Sequence, residues 1–317
     1  MIDLVSKWFF PGLTGRKRRE ALEGYLFLLP WIMGFVFFLV IPIGMSVYVA
    51  FTRWVLIDPP PRWIGFANFK EMFTQDKYFF WSLQVTLKYI AMTLIPFIVI
   101  GLSLSLLLNH KMRGMNFFRT VFYVPAVVSG VAVTLLWISL LDNDMGAVNT
   151  ALRSIGITDP PNWLISPQWV LTSIALMGLW GVGGGAIIYL AGLQNIPPHL
   201  YEVAEIDGAN NWDKFWKITI PLLSPTIFFM LITGIIGSFQ VFTPAYIMGG
   251  TSRFSAGNKY LRFYLLHIYI EAFQKGRLGY AAALAWILTI ISAIVVIIVY
   301  NYSEKYVFYE EEGRQGS

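Results

Sequence analysis

Charged residues along the 317-residue chain fall in clusters, and six stretches between them hold no Asp, Glu, Lys or Arg: 24–52, 89–110, 120–141, 160–201, 218–252 and 278–303. About 20 apolar residues in a helix cross the hydrocarbon of a bilayer, and every stretch is at least that long. The fourth and fifth are too long for one straight span; Pro167 and Pro197 bound the fourth, Pro225 and Gly249 the fifth. The pattern predicts an all-α integral membrane protein of six transmembrane helices.

Composition agrees. The chain is 56% hydrophobic and 13% charged, against the roughly 25% charged of soluble domains. Six spans leave no room for a second globular domain. The expected organisation is a tail at 1–24, one transmembrane domain at 25–302 and a tail at 303–317. Pro30 and Pro42 lie inside the first stretch and no small-residue cleavage site follows a short apolar core, so it reads as an anchor and not a removable signal. Leu4, Val5, Trp8, Phe9 and Phe10 suit a segment lying along the inner interface. Lys7 and Arg16, Lys17, Arg18 and Arg19 precede the first span, which places the N-terminus, and with six spans the C-terminus, in the cytoplasm. Orientation rests on that cluster, because Arg253, Lys259, Arg262, Lys275 and Arg277 crowd the last external loop. The protein is expected as a multi-pass protein of the cell (inner) membrane, in contact with lipid.

The residues missing from the spans exclude whole classes of chemistry. With no cysteine there is no thiol catalysis or thiolate metal site, and His110, His199 and His267 stand apart, so no metal centre is expected. No carboxylate lies in the six stretches, and Lys88 sits at the edge of the second with a stem long enough to snorkel. Proton relays and intramembrane hydrolases need such groups, so the chain reads as no enzyme. It lacks the glycine-rich loop that cradles nucleotide phosphates, so energy for uphill movement comes from another subunit. The net charge of +5 reflects topology, not nucleic acid, since the aromatic residues lie mostly in spans.

The informative polar stretch is the loop at 196–221. Pro197 and Pro198 open a short helix, with Glu202 and Glu205 in its early turns; Gly208 stops it, and Asn210 or Asn211 caps a second helix leading to Pro221. Leu200, Val203 and Ala204 share a face that needs lipid or a partner.

The run Glu202, Val203, Ala204, Gly208, Ile218, Ile220 and Pro221 resembles the EAA loop of permease subunits of binding-protein-dependent ABC importers, with Val203 in place of alanine and Ile220 in place of leucine. The flanks, Tyr189-Leu-Ala-Gly-Leu-Gln-Asn-Ile-Pro197 and Pro221-Leu-Leu-Ser-Pro225, are similar to the carbohydrate-uptake branch, as are Phe118–Pro125, Gly146–Asn149, and Ala272-Phe273 with Gly279–Ala283. Tyr25–Trp54 with Gly65–Phe69 looks like the maltose-type first permease, from which Gly249-Gly250-Thr251 departs. The resemblance implies a type I importer permease. One half of a heterodimer with a second permease, it would be driven by a dimer of cytoplasmic ATP-binding subunits that hold ATP and Mg and fed by an extracytoplasmic solute-binding protein. Glu202, Val203, Ala204, Asp207, Gly208, Ala209 and Pro221 would then form the ATPase-coupling segment.

For the solute path, Trp180, Gly183, Gly184 and Tyr189 in the fourth span and Ser238, Phe239, Gln240, Phe242 and Tyr246 in the fifth combine aromatic faces, an amide and a hydroxyl suited to sugars. Close helix packing at the glycines and interhelical hydrogen bonding by a buried Gln240 are the competing readings. Residues 260–275 read as a half-buried external helix whose basic residues meet solvent and headgroups, or attract an acidic solute or binding protein. The functional expectation is import of a sugar or oligosaccharide. The alternatives are an acidic solute, such as a uronate oligosaccharide or a glycerol phosphate, and a stand-alone carrier or channel.

Overall fold

The computed structural model describes residues 15–110, 112–249 and 259–303. The interfacial segment at Leu4–Phe10, the Gly250-Thr251 departure, Arg253 and nearly all of the C-terminal tail lie outside the described residues.

Four helices are long and apolar enough to cross a membrane, Glu23–Ala50, Phe79–Leu108, Asn211–Gly249 and Leu278–Ser303, and two bent pairs complete the expected six if each is one span. The first span comprises α1 (Gly15–Phe35), a π-turn (Val36–Val40) and α2 (Ile41–Ala50). The helix starts at Gly15, so the boundary expected near residue 24 falls within continuous helix. A hairpin of β1 (Thr52–Val55) and β2 (Asp58–Trp63) and the short α3 (Ala67–Thr74) follow. Asn68 fixes this hairpin by donating to the Ala50 and Thr52 carbonyls at 2.8 and 2.9 Å.

The second span, α4 (Phe79–Leu108), begins ten residues before the uncharged stretch does. Lys88 therefore lies well inside the helix; at 1.5 Å per residue it stands about 30 Å from Leu108, the thickness of the hydrocarbon, so the first turns of α4 project beyond the membrane.

The third stretch is not one straight helix. It divides into α5 (Met115–Val127) and α6 (Gly130–Leu140), bent by 95°, because Val128 and Ser129 are extended, with ψ 139° and 132°. After α7 (Ala147–Ser154) the fourth span bends by 45° between α8 (Val170–Trp180) and α9 (Gly183–Gln194). Then come α10 (Pro198–Ile206), α11 (Asn211–Lys214), a π-turn (Phe215–Thr219) and α12 (Ile220–Phe239). The fifth span breaks again at Gln240, the last-turn cap of α12, before α13 (Thr243–Gly249). The chain ends its described part with α14 (Tyr264–Tyr269), a π-turn (Ile270–Gln274) and α15 (Leu278–Ser303).

The core is densest at the end of the bundle where α4 begins. Tyr89, Val170, Ile174, Met248, Phe263 and Leu266 form one buried cluster there, and Met72, Phe79, Tyr264 and Leu284 belong to another. Tyr264 ties three elements: its N–H donates to Thr86 Oγ1 at 3.0 Å and its hydroxyl to the Leu284 carbonyl at 3.1 Å.

Candidate functional site: coupling loop, solute path and outer ion cluster

Proline at its first turn opens α10, and Gly208, at φ +79°, ends it. That left-handed step is strained for any residue with a Cβ and lets Ala209 N–H reach back to the Ala204 carbonyl at 2.9 Å. Asn210 Oδ1 then accepts from the N–H groups of Trp212 and Asp213, both at 2.9 Å, and starts α11. Two contacts pin the loop to itself: Lys214 to Glu205 at 3.0 Å and the Tyr201 hydroxyl to Thr219 Oγ1 at 3.0 Å.

Two expectations need adjusting. Because α10 starts at Pro198, Glu202 lies past its first turn, so no carboxylate meets the positive end of the dipole. Leu200 and Tyr201 pack on the ends of the membrane helices beside Leu193, Ile196 and Leu223, so only part of the apolar face stays uncovered. Val203, 54% exposed, and Ile206, 85% exposed, carry it, with Glu202, Asp207 and Gly208 also at the surface and Ala204 and Ala209 half-buried. Pro221 enters the first turn of α12.

The residues expected along a solute path do not converge within this chain. A cavity of about 280 Å³ lies between α4, α8 and α12, lined by Tyr89, Thr93, Phe97, Gly178, Thr233 and Ser238 among others, of which only Ser238 was expected. Gly183 and Gly184 serve close packing instead: a Cβ on Gly183 would collide with the Phe122 carbonyl, and one on Gly184 would come within 3.1 Å of Ala126. Tyr189 is fully buried on α9, and its hydroxyl finds no partner among the described residues. Phe239 is buried in the core, while Gln240 is exposed at the end of α12, which removes the reading of a buried amide joining helices of this chain. Trp180 meets Trp137 edge to face at 6.2 Å. Phe242 and Tyr246 stack at 5.3 Å and both touch Tyr269, so the aromatic group extends onto the external segment.

That segment departs most from expectation. His267 is fully buried and Glu271 is 2% exposed, and Arg262 and Arg277 turn inward, while Lys259 and Lys275 stay exposed as expected. Glu271 is reached by Lys275 at 2.6 Å, Arg277 at 3.4 Å and Arg262 at 3.7 Å. Arg277 also holds Glu71, at 2.5 Å, and His267 Nε2 lies 2.7 Å from Asp76, which accepts from the Tyr280 hydroxyl as well. Arg262 donates to His267 Nδ1 and lies over the Tyr78 ring at 3.8 Å. Since arginine cannot accept, Nδ1 must, and His267 carries its proton on Nε2 toward Asp76. Burial pushes the Asp76 carboxyl up, but the hydrogen bonds from His267, Tyr280 and the Tyr78 N–H hold it well below the usual carboxylate range. The sequence shows five bases against Glu271 alone in this segment; their other partners, Glu71 and Asp76, come from nearly two hundred residues upstream.

The comparison with known families rests on this same architecture. The family model described as the binding-protein-dependent transport system inner membrane component matches residues 97–308, from mid-α4 to beyond α15. The chain belongs to that family. It is 38% identical over 296 residues to the probable ABC transporter permease protein YesP of Bacillus subtilis, covering 93% of this chain and 94% of the relative. The multiple sugar-binding transport system permease protein MsmF of Streptococcus mutans is 31% identical, covering 93% and 99%. The arabinooligosaccharides transport system permease protein AraP of Bacillus subtilis is 31% identical, covering 86% of each. A crystal structure of a bacterial ABC transporter involved in the import of the acidic polysaccharide alginate superposes with a TM-score of 0.79 at 26% identity, covering 92% of this chain and 98% of that one. A second, of the alginate transporter in complex with a pentasaccharide-bound periplasmic protein, gives the same TM-score at 25% identity, with 92% and 96% covered. The family membership makes the chain an importer permease of the sugar branch, with the type I architecture expected and no catalysis of its own. It is a multi-pass protein of the inner membrane.

Proposed function

We propose that this permease subunit carries a sugar or oligosaccharide across the inner membrane as half of a heterodimer with a second permease. Solute arrives from an extracytoplasmic binding protein, both termini lie in the cytoplasm, and ATP and Mg are held on a partner ATPase dimer. The observation that carries the reading is α10. It is a short rod stopped by a left-handed glycine, and Val203 and Ile206 on it are exposed with nothing among the described residues to cover them. Closure of an ATPase groove on such a rod becomes rigid-body motion of the spans that follow, through Asn210, Lys214 and Pro221. Solute would pass beside Ser238, Gln240, Phe242 and Tyr246 at the exposed break of the fifth span, where a second permease would complete the wall.

The test is purification of the tagged chain from native membranes in mild detergent, with mass spectrometry of what stays bound. An ATPase and a second six-span permease are expected. Gly208→Pro should insert normally yet lose solute-stimulated ATP hydrolysis and uptake; normal transport by that variant would sink the coupling role. An acidic oligosaccharide is the second reading, favoured by the superposition on alginate importers. ATPase stimulation by maltotriose, arabinotriose and a trimeric uronate, each with the binding protein, separates the two.

A further inference from the structure

The hairpin after the first span sets two arginines face to face. Arg53 and Arg62 are directly paired in the antiparallel register, so their side chains leave the same face of the two-stranded sheet. Like charges directly opposite are destabilising. Both are exposed, and neither makes a hydrogen bond or ion pair with a carboxylate or carbonyl among the described residues, although Arg53 lines the same cavity as Glu71 and Arg277. Their neighbours at this end of the bundle do: Arg153 reaches the Asn143 and Asp144 carbonyls, Arg262 lies by Glu271, and Arg277 holds Glu71 and Glu271.

The position of the pair narrows what would neutralise it. Thr52 is two residues past the last residue of α2 and pairs with Trp63, so the arginine pair is one strand step, about 3.3 Å, further from the membrane helix. Trp63 packs at 5.6 Å on both Tyr48 and Phe51 of the last membrane turn, and Phe66 meets Phe51 at 5.2 Å. Tyr48, Trp63 and Phe66 are all more than half exposed, a ring of aromatic groups at a span end that matches the level of the glycerol and headgroup region. Pro60 and Pro61 fix φ in the strand leading to Arg62, which stiffens the backbone that carries it.

We propose that Arg53 and Arg62 form a clamp for the phosphodiester of an anionic phospholipid in the adjacent leaflet. Each guanidinium offers parallel N–H donors to phosphate oxygens, and one negative charge removes the repulsion across the hairpin; Trp63, one residue from Arg62, leaves the opposite face and sets the hairpin at headgroup level. Retention of the lipid fixes the hairpin against the start of α15, which it already meets through the Val55–Arg277 bridge and the Leu56 N–H to Gly276 carbonyl bond at 2.8 Å.

The test is native mass spectrometry of the full-length chain, with whatever subunits accompany it, titrated with phosphatidylglycerol, with phosphatidylcholine and with inorganic phosphate. The wild type is expected to retain one phosphatidylglycerol more than Arg53→Gln/Arg62→Gln, with retention weakened about tenfold in the variant. Phosphatidylcholine, whose choline offsets the charge, should show a smaller difference, and phosphate should displace nothing. Arg53→Lys/Arg62→Lys, which keeps the charge and loses the paired donors, should fall between and controls for folding. Equal lipid retention in all three proteins overturns the clamp. Protection by inorganic phosphate as strong as by lipid overturns it in favour of a free-anion site. Unchanged lipid with loss of the solute-binding protein overturns it in favour of protein docking.

Discussion

At the scale of single residues, two buried groups separate stability from transport. The Tyr189 hydroxyl is buried with no partner among the described residues, and removing an unsatisfied buried hydroxyl is neutral or stabilising. Tyr189→Phe is therefore expected to keep or raise the thermal midpoint in detergent, by up to about 1 kcal/mol. A fall in uptake by that stable variant would place the hydroxyl on the solute path. Asp76 works the other way. Its carboxyl is depressed below its ordinary value of 3.8, so ionised Asp76 stabilises the fold fully above that pH, and the contribution drains away as pH falls through the lowered value. Thermal melts against pH should show wild type losing stability only below about pH 4. Asp76→Asn should start lower at neutral pH and lack that component, and parallel curves for the two proteins would contradict the assignment.

At the scale of elements, the coupling loop and the outer cluster use the same device, a short helix fixed at its ends by polar contacts. Asn210 supplies both capping bonds of α11, and a lost cap costs about 1 kcal/mol. Asn210→Ala should leave insertion and subunit assembly intact and lower the ATP hydrolysed per solute-loaded binding protein, because the rod no longer keeps its angle to α12; Asn210→Ser, another good cap, should restore most of it. The outer cluster is held more firmly. Glu271 is shared by three bases, and deleting one partner of a buried charge group costs several kcal/mol.

At the scale of the whole molecule, what the sequence made legible was set by contact range. Span number, the α10 rod and the Gly208 stop follow from local signals, an uncharged run, a proline, a glycine, and they appear where expected. The 95° bend at Val128 was hidden, since Ser129 and Pro125 are ordinary in a straight membrane helix and only packing decides between a kink and a break. The outer cluster was hidden for a different reason. Glu71 and Asp76 come to it from distant parts of the chain, so a charge count within 250–277 read the basic residues as facing solvent and headgroups or an acidic partner. The residues expected to line a solute path were the least legible, because they do not gather around one cavity among the described residues and Gln240 lies at an exposed break of the fifth span.

The first span carries one more consequence, for how the protein is made. In Glu23–Ala50 no residue of the most apolar 18-residue stretch is buried, and its hydrogen bonds to the rest of the bundle, from Trp286 Nε1 to Ser46 Oγ at 3.2 Å and from Asn68 to the Ala50 carbonyl at 2.8 Å, come late in the helix. The apolar stretch therefore enters the bilayer on hydropathy and meets lipid along its length, and it is Ile41–Ala50 that packs on α15. If a companion subunit covers that stretch, copies made in excess of the companion leave a long apolar rod on display to membrane quality control, and the abundance of this chain in the cell should track that of the companion.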